Sequence, residues 1–287
     1  FTQLLGYRPD NDEWKVMALS AEQIDCSDFF NKISSTVCLL DGGRFELDQS
    51  YFEGGFPQHP RLYTKRMLDL LGLEGENDPR LNEYGWQCEL ARAMQQVSEK
   101  IIWHVLNDLY EKTKTDNLVL SGGFFMNSVT NGKITENTKF KKVFISHSPD
   151  DAGNAIGAAL YTNHCIKGQP RTHKKAVSNI GPRYSGSEII SALKRRKIQY
   201  TREENITVKV AEILSHGNAV AVFQGRMEFG PRALGARSII ADARSEKMQR
   251  NLNLKVKFRE SFRPFAPSII REELNNWFEL DCDSPYM

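Results

Sequence analysis

The chain lacks the features that mark several large protein classes. Its five cysteines, Cys26, Cys38, Cys88, Cys165 and Cys282, are odd in number and include no CxxC pair. Neither a disulfide frame nor a thiolate zinc site is expected, and the thiols read as reduced and cytosolic. The six histidines contain no pair four residues apart, which excludes HxxxH and HExxH metal sites. They read as structural, and His147, beside an Asp-rich turn, is the one to follow. No apolar run approaches the roughly 20 residues of a membrane span. There is no internal repeat and no low-complexity tract. A net charge of only +2 over 287 residues argues against a dedicated nucleic-acid binder. The chain opens FTQLLGYRPD, with no initiator Met and no signal peptide, and closes on SPYM, so both ends read as cut from something longer.

What is present is uneven. Residues 224–263 carry ten Lys and Arg against four Asp and Glu, a local net charge of +6. The run begins QGRMEFGPRALGARSIIADAR and closes with KVKFRESFR, continuing into PFAPSI. Guanidinium groups are planar forks that grip phosphate oxygens bidentately, and Gly and Pro supply the tight backbone that aims them. A solvated basic face for RNA or an acidic partner is the plainer reading. Against it, the cations alternate with Phe229, Leu234, Ile239, Phe258, Phe262 and Phe265, so burying one set draws the other into a wall. A phosphate-binding pocket is favoured, and an oligonucleotide groove remains as the alternative, because interleaved aromatics also build stacking platforms.

The length suits two domains of about 100–200 residues each. Apolar residues recurring at three and four predict a long amphipathic helix over 81–112. A buried strand at 117–120 leads into Ser121-Gly122-Gly123 and a helix from Met126. A second strand at 142–146 leads through Ser148-Pro149-Asp150-Asp151 into a small-residue helix ending at Tyr161. Residues 168–175 (GQPRTHKK) read as a linker. Helices are expected at 188–196, 207–216 and 245–254, with strands at 218–224 and 238–241. Strand, turn, helix in alternation is the rhythm of an α/β domain with ligands at its strand ends.

Two turns carry further candidates. The double glycine Gly122-Gly123 lets backbone amides approach a phosphate or ribose, with Asn127 supplying a side-chain amide, or it is a plain strand-to-helix turn. Asp150 and Asp151, at a strand end, are helix caps or metal ligands, and spacing alone favours capping. Gly153 and Gly157 read as allowing close helix packing.

The two runs GRMEFGPRALGARSIIADAR and NLNLKVKFRESFRPFAPSI closely resemble the C-terminal domain of the O-carbamoyltransferases of nodulation-factor and antibiotic biosynthesis. EWKVMALS at 13–20, LSGGFFMNSVTNGKI at 120–134 and DDAGNAIGAALY at 150–161 agree in order, so the resemblance covers nearly the whole chain. It implies an α/β fold class: a partial actin-like (ASKHA-type) transfer domain at 1–170, followed by a partial YrdC-like domain at 176–287 with an incomplete C-terminus. It also implies the chemistry. ATP and carbamoyl phosphate give a carbamoyl-adenylate and pyrophosphate in the second domain, and the first, helped by iron, passes the carbamoyl group to a hydroxyl of a sugar-like acceptor. By the same resemblance Arg232, Arg237, Lys257 and Arg263 are catalytic candidates, and Arg226, Arg259, Gly122, Gly123 and Asn127 are candidates for binding ATP and carbamoyl phosphate. Asp151 matches the metal-ligand Asp. The cofactors implied are ATP, Mg²⁺ and Fe²⁺, with the iron site incomplete because the family's HxxxH stretch is absent. A partner chain or a further N-terminal segment is therefore expected. Membrane association is not, and nucleic acid is disfavoured. Two other readings stand beside this one: a nucleotide-binding fragment without turnover, and a tRNA-modifying or RNA-binding protein.

Overall fold

The structure is a computed structural model, which describes residues 1–54, 61–171, 177–280 and 283–287. The chain divides into two compact units. Phe1–Leu120 and Phe125–Phe144 make the first, and Ser121–Phe124 and Ile145–Met287 make the second.

The first unit is built on one helix. After α1 (Glu13–Leu19), α2 (Ser27–Ser34), the hairpin β1 (Val37–Leu40) and β2 (Arg44–Leu47), and α3 (Lys65–Leu71), the helix α4 runs Tyr84–Thr113. It confirms the periodicity of 81–112 and ends where Lys114 turns left-handed at φ 52°, its amide donating to the Tyr110 carbonyl. Cys88, Leu90, Ala91, Ala93 and Val97 are buried along α4, and α1 and α2 pack on it. Phe29 of α2 meets Trp86 edge-on at 5.4 Å. His104 Nε2 lies 2.8 Å from the Leu40 carbonyl and 3.0 Å from that of Arg44, tying the hairpin to α4. The hairpin turns at Gly42 and Gly43, both at positive φ, and a Cβ on Gly43 would sit 2.8 Å from Asp108 Oδ2. β3 (Asn117–Leu120) pairs with β4 (Lys142–Ile145), with α5 (Ser128–Asn131) and α6 (Ile134–Asn137) between them.

In the second unit, a 3₁₀ turn at Asp151–Gly153 leads into α7 (Asn154–Tyr161), then α8 (Gly186–Arg195), α9 (Ile206–Ser215), β5 (Val220–Phe223), β6 (Arg237–Ile240), α10 (Met248–Asn251) and α11 (Leu274–Trp277). α8 carries a complete capping box: Ser185 Oγ accepts from the Glu188 amide while Glu188 accepts from the Ser185 amide. β5 and β6 are antiparallel, with Val220 opposite Ile240 and Phe223 opposite Arg237. The sheets are thus three separate pairs among the described residues, α/β in character. The expected helix at 245–254 is one α-turn, α10, continued by a π-helical turn at Leu252–Val256. The expected linker lies partly outside the described residues. Among those that are described, no helix is long and apolar enough to cross a membrane.

Candidate functional site

The strand-end turns of the second unit are folded around backbone carbonyls. The Gly122 amide, at φ 110°, donates to the Pro149 carbonyl at 2.7 Å, and Ser121 Oγ donates to the same atom at 3.3 Å. Ser148 is fully buried and its hydroxyl donates to Asp150 Oδ1 at 2.7 Å. That bond replaces the expected cap: Asp150 occupies the N-cap position of the 3₁₀ turn but makes no side-chain capping bond. A Cβ on Gly153 would fall 2.1 Å from the Ser148 carbonyl oxygen, so only glycine fits this turn. Gly153 therefore admits backbone to the turn, where the spacing suggested helix packing. Gly122 and Gly123 have open space where a Cβ would be, but the Gly122 amide is already committed.

Asn127 is committed as well. Its Oδ1 accepts from the Thr130 amide at 3.1 Å, capping α5, and its Nδ2 donates to Gln95 Oε1 at 2.8 Å. Gln95 in turn donates to Glu99 at 2.8 Å and to the Thr130 hydroxyl at 2.9 Å, and Lys133 Nζ lies 2.9 Å from both Glu99 oxygens. Gln95, Glu99 and Thr130 are buried, so this is an internal polar network in the first unit.

Asp151 is exposed, and no group of three or more His, Cys, Asp or Glu side chains among the described residues could hold a metal. A lone exposed carboxylate does not make an iron site, so these residues do not fit one. Near the same turn, His147 is buried, with neither ring nitrogen hydrogen-bonded among the described residues. Its ring packs edge-on to Phe229 at 6.2 Å and against Tyr286 at 5.4 Å. Burial lowers its pKa from the ordinary histidine value.

The arginine stretch begins where β5 ends. Residue Arg226 bridges Arg183 in antiparallel fashion, and its Nη1 donates to the Gly181 carbonyl at 3.0 Å. Next comes Glu228, whose side chain is wholly buried. Its Oε1 accepts from the amides of Leu234 and Ala236, each at 2.7 Å, and its Oε2 lies 3.3 Å from Arg237 Nε. Burial alone would raise this carboxyl; the amides of Ala236, Leu234 and Glu228 itself, with Arg237, outweigh it and hold the pKa below the usual glutamate value. Arg237 Nη2 donates to the carbonyls of Gly230, at 2.9 Å, and Arg232, at 3.2 Å. Gly230, at φ 109°, passes so close that a Cβ would lie 2.8 Å from the His147 carbonyl oxygen. The loop 228–237 is thereby laced shut from inside and laid against the 147–148 turn.

A second loop hangs on Asn253, which is fully buried. Its Nδ2 donates to the carbonyls of Ser261 (3.1 Å) and Arg263 (2.8 Å), and its Oδ1 accepts from Arg259 Nε at 2.7 Å. Arg259 stacks over Phe265 at 4.7 Å, and burial, with Arg263 nearby, lowers its pKa from the ordinary arginine value. Arg263 Nη1 lies 3.3 Å from Glu260. Just before Arg259, Phe258 stands exposed at φ 49°, a strained conformation for an aromatic residue.

Of the six cations singled out from the sequence, four are engaged within the fold: Arg237, Arg259 and Arg263 in their own loops, and Arg226 on the Gly181 carbonyl. Arg232, half-buried at the loop apex, and Lys257, exposed, have side chains with no partner among the described residues. They are the two of the six that no hydrogen bond or ion pair occupies among the described residues. Glu228 and Asn253 were not singled out, although an acid and an amide among arginines are what such loops fold around.

The site thus consists of two internally hydrogen-bonded, arginine-rich loops in an α/β protein. The profile described as Carbamoyltransferase N-terminus matches residues 1–160, and that described as Carbamoyltransferase C-terminus matches residues 211–287. The chain belongs to the carbamoyltransferase family. It is 39% identical over its whole length to the uncharacterized protein sll1178 of Synechocystis, covering 47% of that protein. It is 36% identical over 94% of its length to nodulation protein NolNO of Sinorhizobium fredii, covering 38% of it. To the 3'-hydroxymethylcephem-O-carbamoyltransferase of Streptomyces clavuligerus it is 28% identical over 96% of its length, covering 48% of it. The chain spans about half the length of the curated relatives it matches.

Proposed function

We propose that this chain is part of an O-carbamoyltransferase that activates carbamoyl phosphate with ATP. The observation that carries the reading is the pair of cationic heads, Arg232 and Lys257, presented from loops inside the region matched to the carbamoyltransferase C-terminus. Carbamoyl phosphate and the ATP phosphates bring several negative charges together, and cations at fixed positions offset their repulsion.

The atoms balance with one water. The carbamoyl–phosphate bond opens to carbamate and inorganic phosphate. A carbamate oxygen then displaces pyrophosphate from the α-phosphorus to give carbamoyl-adenylate. A hydroxyl of the acceptor attacks the carbamoyl carbon, releasing AMP and a proton. Arg232 and Lys257 contact phosphate oxygens in this scheme, while Arg237, Arg263, Arg226 and Arg259 hold the loops that carry them. Mg²⁺ accompanies ATP as its counter-ion, and no step is assigned to iron, because among the described residues Asp151 belongs to no group of three metal-ligating side chains. The finer fold that fits is an actin-like transfer portion over 1–170 and a YrdC-like portion over 176–287, with the acceptor a hydroxyl compound.

The test is ATP–pyrophosphate exchange by the full-length protein. Exchange that requires carbamoyl phosphate is expected, and Arg232→Ala should lower it by about 10²–10³-fold, the range for losing one charge-stabilising donor. Carbamoyl-phosphate-independent exchange, or none, sinks the proposal.

A further inference from the structure

We infer that Glu228 is a positioning residue: its buried carboxylate is an internal anion that folds the 228–237 loop and so holds the Arg232 guanidinium out toward a phosphate. The inference rests on the functional reading above and deepens it. The loop has ten residues and no regular structure of its own until β6, yet it must place a cation at its apex. Glu228 does this from the inside. One carboxylate oxygen gathers the amides of Leu234 and Ala236, and the other faces Arg237. Through Arg237 the grip reaches the far strand of the loop, because that guanidinium donates to the carbonyls of Gly230 and Arg232. The Arg232 backbone is thus fixed from below, while its half-buried side chain makes no hydrogen bond or ion pair within the described residues.

Glu228 Oε2 and Arg237 Nε form an ion pair at 3.3 Å in which neither atom is hydrogen-bonded among the described residues. An anion nest of two backbone amides and an arginine is ordinarily where a phosphate would sit. Here a side-chain carboxylate fills it, so Arg237 is occupied and the anion must be met by the next cation outward, Arg232. A neutral group at 228 leaves Arg237 without its counter-charge, and the two carbonyls it laces are then held more weakly. Arg232 would sample more orientations and meet a phosphate less often in the productive one.

The probe is inorganic pyrophosphate, titrated calorimetrically into the full-length protein. Glu228→Gln, which keeps the shape and the acceptor oxygen, should weaken pyrophosphate binding by about tenfold, the order expected for losing a charge-assisted contact. In an Arg232→Ala background the same substitution should add less than about twofold, because the effect travels through Arg232. Arg237→Met should reproduce Glu228→Gln, and Glu228→Asp should recover part of the loss. Unchanged binding in Glu228→Gln, or an equal loss with and without Arg232, overturns the inference. A merely structural role for Glu228 would give that equal loss. If Glu228→Gln does not fold, Arg237→Met decides by the same comparison. Pyrophosphate binding that behaves as described, without carbamoyl-phosphate-dependent exchange, overturns the functional reading alone. A wild type that does not bind pyrophosphate overturns both.

Discussion

Protonating His147 would place a charge among aromatic rings with no acceptor for either N–H among the described residues. Its pKa is therefore lowered in the folded chain, while an unfolded chain keeps the ordinary value of about 6.5. Below that pH the unfolded chain takes up a proton that the folded one resists, so the unfolded state binds more protons and stability falls with pH. Above it both forms are neutral and the residue adds no slope. The expectation is that wild type loses thermal stability between pH 7.5 and 5.5 and that His147→Phe loses less. Equal losses in the two proteins would show that other groups set the slope. Lone histidines in a sequence carry no such information, because orphaned nitrogens are a property of what surrounds the ring. The arginines show the same limit. That they crowd into 224–263 is plain from composition; that Arg237 laces carbonyls while Arg232 stands out is not.

At the scale of elements, local chemistry was legible wherever the pattern was strong. α8, α9, β5 and β6 lie within two residues of their expected bounds, because 3.6- and 2-residue periodicities are local signals. The hairpin β1–β2 and helices α2 and α3 were not read from the sequence. Their segments are short, and their signals are single residues: Thr64 accepting from the Met67 amide, Gly72 at φ 75°, and the paired glycines at 42 and 43. The turn at 121–127 was read for a ligand, and the structure gives Asn127 an internal task. Asn127→Ala removes the α5 cap and strips Gln95 Oε1 of its donor inside a buried network. A loss of about 2–3 kcal/mol is expected in urea unfolding, about 1 from the cap and the rest from the unsatisfied amide. A loss below about 0.5 kcal/mol would mean that water replaces these bonds, and the network would no longer define the turn.

For the molecule as a whole, the apolar core is unequally shared. The first unit buries Leu19, Ile33, Met67, Leu90, Ile134 and Phe140 almost completely. In the second, Ala236, Met248, Leu252 and Leu274 are the buried apolar side chains among the described residues. The helices α7, α8 and α9 bury none of theirs, and Ile206 and Val208 of α9 are 57% and 68% exposed. Helices that short take most of their stability from packing, not propensity. The second unit should therefore open more readily than the first. Amide hydrogen exchange is expected to show the slowest amides in α4 and its neighbours and faster exchange throughout α8 and α9. Protection in α9 equal to that in α4 would contradict the difference in burial.

By itself the sequence determined the family, the α/β character and the place where positive charge gathers, since these reside in local order: motif succession, periodicity and composition along 224–263. Which of those charges face outward was decided by tertiary structure alone. Glu228 meets Leu234, Ala236 and Arg237, and Asn253 meets Arg259, Ser261 and Arg263, only once the loops close. A buried acceptor must find donors wherever the folded chain brings them. It therefore draws in some cations and leaves Arg232 and Lys257 outside those contacts, a division that residue type cannot encode.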